Sequence, residues 1–360
     1  MKIYPIPMVP GPVKVHPQVL QQYLSDYASG DLEMDFLDLY NHTEANLQEI
    51  FSTKNKIAIQ TGEGMLALWG ALKSCLLPGD RVLSVATGVF GYGIAEMANA
   101  VGATVKTIAL PYDQTIHNWV EIEEAIANFK PKMITVVHCE TPSGTLNPLK
   151  KLGELKVKYA VPLIYADVVA SLGGTPVLTD EWSIDLALGG TQKCLSAPPN
   201  MAFVTISEQA WDIIDKVAYV GYDALKPFRN AQQDFYFPYT PYWHGMAVLH
   251  KATQVLLAEG LFASYRRHTE VAAYCRQKLG DMGLSIFPAD TAIPSPTVTA
   301  VKLPSSMTWK DLDERFRQNG LAVGGSYGPL AGKVFRLGHM GSQADMDLVQ
   351  QALDVIEKVI

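Results

Sequence analysis

Cysteine is scarce, with four in 360 residues. Cys75, Cys139, Cys194 and Cys275 lie far apart and form neither a Cys-x-x-Cys pair nor a Cys/His spacing. That excludes a disulfide scaffold and a thiolate metal site, and reads as reduced thiols in a cytoplasmic protein. A basic cluster is also missing. The formal charge is −7, from 29 Lys+Arg against 36 Asp+Glu. This argues against nucleic acid or an anionic membrane as a partner. No apolar run approaches the ~18 residues that a membrane-crossing helix needs. The segment Met1 to Pro7 lacks the apolar centre of a secretory leader. There is no internal repeat and no low-complexity linker. What is there is a chain 48% hydrophobic. It is long enough for a large core and two domains.

The most informative residue is Lys193, in Gly189-Gly190-Thr191-Gln192-Lys193-Cys194-Leu195-Ser196-Ala197-Pro198-Pro199. The apolar run Ile184-Asp185-Leu186-Ala187-Leu188 precedes it and reads as a buried strand. Small residues then deliver the lysine at the strand end. Burial favours the neutral amine, which is a nucleophile able to form a Schiff base with an aldehyde. A solvated surface lysine is the alternative. Asp167 closes a second apolar strand, Leu163 to Ala166, and small residues follow it. It reads either as a turn cap or as the acid beside a protonated pyridine nitrogen. Pyridoxal phosphate (PLP) acts as an electron sink only while that nitrogen stays positive, which a buried carboxylate ensures. An acid at one strand end and a lysine 26 residues on can meet at the carboxyl edge of one sheet.

From Lys56 to Met201 short apolar strands alternate with helices. The strands are expected at 56–60, 81–86, 104–110 and 132–138, then around Leu163, Ile184 and Met201. The helices between them are expected at 64–76, 90–101, 120–129 and 148–159. Such alternation implies an α/β fold with a mostly parallel sheet covered on both faces. After Tyr239-Thr240-Pro241 the pattern changes to long helix, 243–282 with a break near Gly260, and then to shorter mixed elements. The expected division is an extended N-terminal arm, 1–20, a large domain, 21–245, and a smaller α+β domain, 246–360.

Three further segments follow strand ends. Gln60-Thr61-Gly62-Glu63-Gly64-Met65 opens a helix, where backbone amides favour an anion. Glu63 is odd there, because a carboxylate repels phosphate. Either it points away or it marks a site without phosphate. Phe90, in Ala86-Thr87-Gly88-Val89-Phe90-Gly91, either stacks on a flat ring or fills the core. Thr141, in His138-Cys139-Glu140-Thr141-Pro142-Ser143-Gly144, is placed to hydrogen-bond a ring substituent or simply to make a turn. Arg336 sits inside the apolar strand Lys333-Val334-Phe335-Arg336-Leu337. It calls for an acidic partner or a carboxylate ligand. His138 and His339 read as structural.

Taken together, these segments resemble the class V aminotransferases of fold type I, and within them the alanine–glyoxylate and serine–pyruvate aminotransferase family. The resemblance runs from Val9-Pro10-Gly11-Pro12 to the last helix. Its most specific pieces are Asp-x-Val-Ala-Ser-Leu-Gly-Gly at 167–174 and Gln-Lys-Cys-Leu-x-Ala-Pro-Pro at 192–199. It implies a PLP-dependent transferase with a seven-stranded sheet in the large domain, working as a homodimer on small amino and oxo acids. It implies that Lys193 is the Schiff-base lysine and proton carrier, Asp167 the partner of the ring nitrogen and Phe90 the stacking residue. Thr141 contacts the ring oxygen. Gln192 and the amide of Gly64 hold the phosphate, flanked by Glu63 and Met65. Thr240 reaches the phosphate site of the other subunit. Arg336 clamps the substrate carboxylate and Gly11 lines the pocket.

Two departures stand out. Relatives that bind PLP usually carry a hydroxyl residue where Glu63 stands, and often a tyrosine where Phe237 stands. Both changes are similar to pyridoxamine–pyruvate aminotransferases, which use the unphosphorylated vitamin as substrate. Gly64, where those enzymes have proline, and Tyr327, where they have a second arginine, go the other way. A third reading, a non-catalytic pyridoxal-binding protein, lacks support from any appended DNA-binding segment. Cysteine desulfuration does not fit Cys194, which directly follows the lysine.

Overall fold

The computed structural model describes residues 3–360. The first two residues of the expected arm lie outside that range. A seven-stranded sheet organises most of the chain. Its strand order is 56–61, 201–206, 186–190, 163–167, 133–137, 81–86 and 104–109. The pairings are parallel except those of Met201–Ile206, which runs antiparallel to both neighbours. This is the mostly parallel α/β sheet expected. Its inner strands are buried on both faces and correspondingly apolar, as in Met133–Val137 and Leu163–Asp167.

Helices cover both faces. The helix Gly64–Cys75 is apolar nearly all round, because it lies between the sheet and the helix Glu208–Val217. The latter is capped by Ser207, whose Oγ accepts from Ala210 N–H at 3.1 Å. The long helical stretch after Tyr242 is two helices, Trp243–Glu259 and Leu261–Asp281, divided at Gly260. Gly260 has φ +88°, which a residue with a side chain adopts only at a cost.

A second sheet has strands 6–8, 321–325, 334–338 and 298–302, in that order. Its core is separate, with Phe316, Phe335, Leu337 and Leu353 at its centre. The first strand comes from the arm: Ile6–Met8 lies parallel to Leu321–Val323. The chain therefore begins on the second sheet, and residues 9–13 cross from it to the first. The helix Trp309–Gln318 is capped by Thr308, whose Oγ1 accepts from Asp311 N–H at 3.2 Å.

One boundary differs from expectation in an informative way. The strand before the lysine is Leu186–Gly190 and excludes Ile184 and Asp185. Asp185 is buried and accepts from Ile164 N–H at 2.7 Å while pairing with Lys156 at 2.8 Å. A carboxylate engaged that way belongs to the turn, not the ladder. Among the described residues no helix is long and apolar enough to cross a membrane.

Candidate active site

Asp167 and Lys193 leave the carboxyl ends of adjacent parallel strands, where Asp167 pairs in register with Leu188. The lysine rides on a tight turn stapled from three sides. Ser196 N–H donates to Lys193 O at 2.9 Å, and Val13 N–H donates to Gln192 O at 3.1 Å. Ser342 N–H, from the far end of the second sheet, donates to Ser196 Oγ at 2.7 Å. Ser196 itself has φ +54°, a strained position that this surrounding network holds.

The turn opens into a cavity of about 350 Å³. Of the residues predicted from sequence, Gly11, Glu63, Gly64, Met65, Phe90, Thr141, Asp167, Gln192 and Lys193 line it. Arg336 and Thr240 do not. Arg336 lies behind Pro10, and Thr240 is exposed on the outside of the chain. Phe237 is also away from the cavity, buried against Phe36 and Tyr40. His138 and His339 are buried and hydrogen-bonded to Ser171 and Thr299 respectively.

Lys193 Nζ donates to Pro10 O at 2.6 Å. Burial lowers its pKa, and the nearby positive charge of Arg336 lowers it further. Both effects favour the neutral amine. Gly11 suits this position, since its φ is +92°, where any side chain is strained, and it packs against the Lys193 side chain. Asp167 is only 6% exposed, and desolvation pushes its pKa up to about 6. Val169 N–H, donating at 2.9 Å, and the charge of Lys193 oppose that rise. Among the described residues no cation is bonded to Asp167, so a positive group in the cavity would meet a carboxylate without a competitor.

Glu63 is the N-cap of the helix Gly64–Cys75. Its Oε2 accepts from Met65 N–H at 2.9 Å, and its Oε1 accepts from Gln192 Nε2. The carboxylate does not point away; it is turned into the helix N-terminus. Two of the donors that could hold an anion there, Met65 N–H and Gln192 Nε2, are thus occupied by the protein's own anion. Gln192 Oε1 is buried and has no partner.

Sequence reasoning missed Pro12, Leu68, Cys139, Val169, Ala170 and Pro199 on the cavity wall. It also missed Glu140, which lies behind the wall, fully buried. Glu140 accepts from Phe90 N–H at 3.1 Å and Gly91 N–H at 2.7 Å, and so fixes the aromatic residue. Desolvation pushes its pKa up to about 7. A Cβ at Gly88 would strike its carboxylate, which accounts for the glycine two residues before Phe90. Only the position of Glu140 beside Thr141 hinted at this.

A buried lysine, an unpaired acid and an aromatic ring around a cavity suit a pyridine aldehyde. Comparison with known proteins agrees. The Aminotransferase class-V family matches residues 11–334. The (S)-ureidoglycine–glyoxylate transaminase of Bacillus subtilis is 33% identical, over 98% of this chain and 90% of its own length. The alanine–glyoxylate aminotransferase of Oryctolagus cuniculus is 31% identical, over 98% and 91%. The structure of pyridoxamine–pyruvate aminotransferase from Mesorhizobium loti superposes with a TM-score of 0.95 at 30% identity, covering 99% of this chain and 92% of that one. By fold, motif and sequence, this chain belongs to the class V aminotransferases.

Proposed function

We propose that this aminotransferase moves an amino group to a small 2-oxo acid at Lys193, on a pyridoxal ring that carries no phosphate. On this reading pyridoxamine is the donor and a pyruvate-sized oxo acid the acceptor. The observation that carries it is Glu63. A phosphate offers acceptors only, and the end of the cavity where it would sit presents the Glu63 carboxylate, capping the helix start and bonded to the Gln192 amide. A carboxylate facing phosphate oxygens repels them, whereas the hydroxymethyl group of pyridoxal or pyridoxamine is a donor to that carboxylate. This favours the bare ring over the phosphorylated one.

The remaining roles follow from the residues. Asp167 holds a positively charged ring nitrogen, and Phe90 covers the ring face. The ring supplies the electron sink when bound. Lys193 Nζ, 2.6 Å from Pro10 O and with its pKa lowered by burial, takes a proton from the pyridoxamine carbon that bears the amino nitrogen and delivers one to the former carbonyl carbon of the oxo acid, across that nitrogen. The resemblance, rather than the cavity wall, assigns the carboxylate of the oxo acid to Arg336, which is buried beside the cavity with no carboxylate partner among the described residues. Thr141 faces the ring oxygen.

A second reading has alanine or serine as donor, glyoxylate or pyruvate as acceptor and PLP as resident cofactor. The Gly64 amide favours it, since a glycine N–H at this helix start remains available to a phosphate oxygen, where proline would offer none. The two separate cores support a division into an arm, a large domain and a small domain near residue 245. The exposed Thr240 supports a homodimer in which it reaches the partner's site, and four buried, unpaired thiols suit the cytoplasm. The deciding experiment compares affinities for pyridoxal and PLP on the purified protein, together with turnover of pyridoxamine plus pyruvate and of alanine plus glyoxylate. A clear preference for the phosphorylated form removes the first reading.

A further inference from the structure

Arg336 is 2% exposed, and among the described residues no carboxylate pairs with it. A buried guanidinium in that state needs something to hold its plane. Two groups do so. Its Nε donates to Gly325 O at 2.7 Å, and its guanidinium carbon stands 4.7 Å from the centroid of the Tyr327 ring. Burial lowers its pKa, and a hydrogen bond to Tyr327 works against that shift.

The segment carrying Tyr327 spans the site. Gly324 abuts Pro10, whose carbonyl holds Lys193. Ser326 Oγ donates to Pro142 O at 2.9 Å, next to Thr141. Gly328, at φ +53°, lies against Val89, the neighbour of Phe90. Tyr327 itself is 54% exposed, although it lies against a buried cation. An exposed aromatic ring held on a cation contributes position more than core packing.

We propose that Tyr327 is a positioning and specificity residue that orients the Arg336 fork for a single small carboxylate. An acid in its place would also fix the guanidinium, but it would cancel the charge and compete with the substrate. A ring face attracts the cation through its quadrupole without cancelling its charge, which stays available to a carboxylate. A second cation in its place would invite a second carboxylate, which the tyrosine does not.

The inference rests on Arg336 as the carboxylate anchor. Its test varies pyruvate and pyridoxamine separately for wild type, Tyr327→Ala and Tyr327→Phe. Tyr327→Ala is expected to raise KM for pyruvate about five- to tenfold, in line with the strength of a desolvated cation–ring contact. KM for pyridoxamine, which has no carboxylate, stays within about twofold, and so does kcat. Tyr327→Phe keeps the ring and holds the pyruvate KM within about threefold of wild type. If pyridoxamine is not a donor at all, the same variants are run with alanine and glyoxylate. Both bear carboxylates, so both KM values then rise together in Tyr327→Ala, which upholds the inference while the unphosphorylated donor fails. An unchanged KM for every carboxylate substrate overturns it. So does an equal rise for pyridoxamine with a fall in kcat, which marks a merely structural role.

Discussion

Replacing Glu63 with serine tests the reading of the cavity most directly. The carboxylate is partly buried and bonded to Met65 N–H, so it cannot swing away without uncapping its helix. A phosphate at the same helix N-terminus would sit roughly 5 Å from it and carry a charge of about −1.5 to −2. Repulsion at that distance is about 6 kcal/mol at an effective permittivity near 20 and about 1.5 kcal/mol in bulk water. Even the lower figure is about tenfold in affinity. Serine caps helices about as well as acidic residues do, so the fold loses only a few tenths of a kcal/mol. It also releases Met65 N–H and the Gln192 amide as donors. The ratio of dissociation constants, PLP over pyridoxal, is therefore expected to fall at least tenfold in Glu63→Ser. Glu63→Gln, which removes charge but keeps bulk, should fall between. Both constants can be followed by the absorbance of the covalent Lys193–pyridoxal adduct. A ratio unchanged in both variants, or a wild type that already prefers PLP, would refute the reasoning.

Other perturbations separate the remaining roles. Lys193→Ala should abolish the adduct band and turnover, and a variant retaining full turnover would exclude the lysine from the chemistry. Asp167→Asn keeps the shape of the acid but not its charge; adduct formation should survive while kcat drops about a hundredfold or more, as expected for losing a preorganised charge. Phe90→Ala should weaken pyridoxal binding roughly tenfold through lost ring contact, measured by the same titration. Glu140 gives a pH signature in stability. Its folded pKa, about 7, is raised above the usual value of 4.5. The stability it contributes is thus full below pH 4.5 and lost as pH rises through 7. Glu140→Gln cannot ionise, so its melting temperature relative to wild type should improve between pH 5 and pH 8; a gap independent of pH would assign Glu140 no such change in charge.

Lys193 and Asp167 were legible because each is a charged residue placed directly after an apolar strand, and parallel strands put such ends on one edge. The direction of Met201–Ile206 was less so, since its apolar pattern is the same in either orientation. The clue was the connection: no helix fits between Gly190 and Met201, and a parallel neighbour needs a crossover. The pairing of Ile6–Met8 with Leu321–Val323 had no local signal at all, being three residues joined to a strand at the other end of the chain. Glu63 was recognised as out of place, but its geometry was not readable from the sequence. A carboxylate that turned outward would have left the helix start open to phosphate. Turned inward, it uses the same two kinds of donor, a backbone N–H and a side-chain amide, that a phosphate would need. On the proposed reading, this rotamer at the end of one helix is what disfavours the phosphate. That choice depends on where Gln192 lies, 129 residues away along the chain and brought close only by the fold.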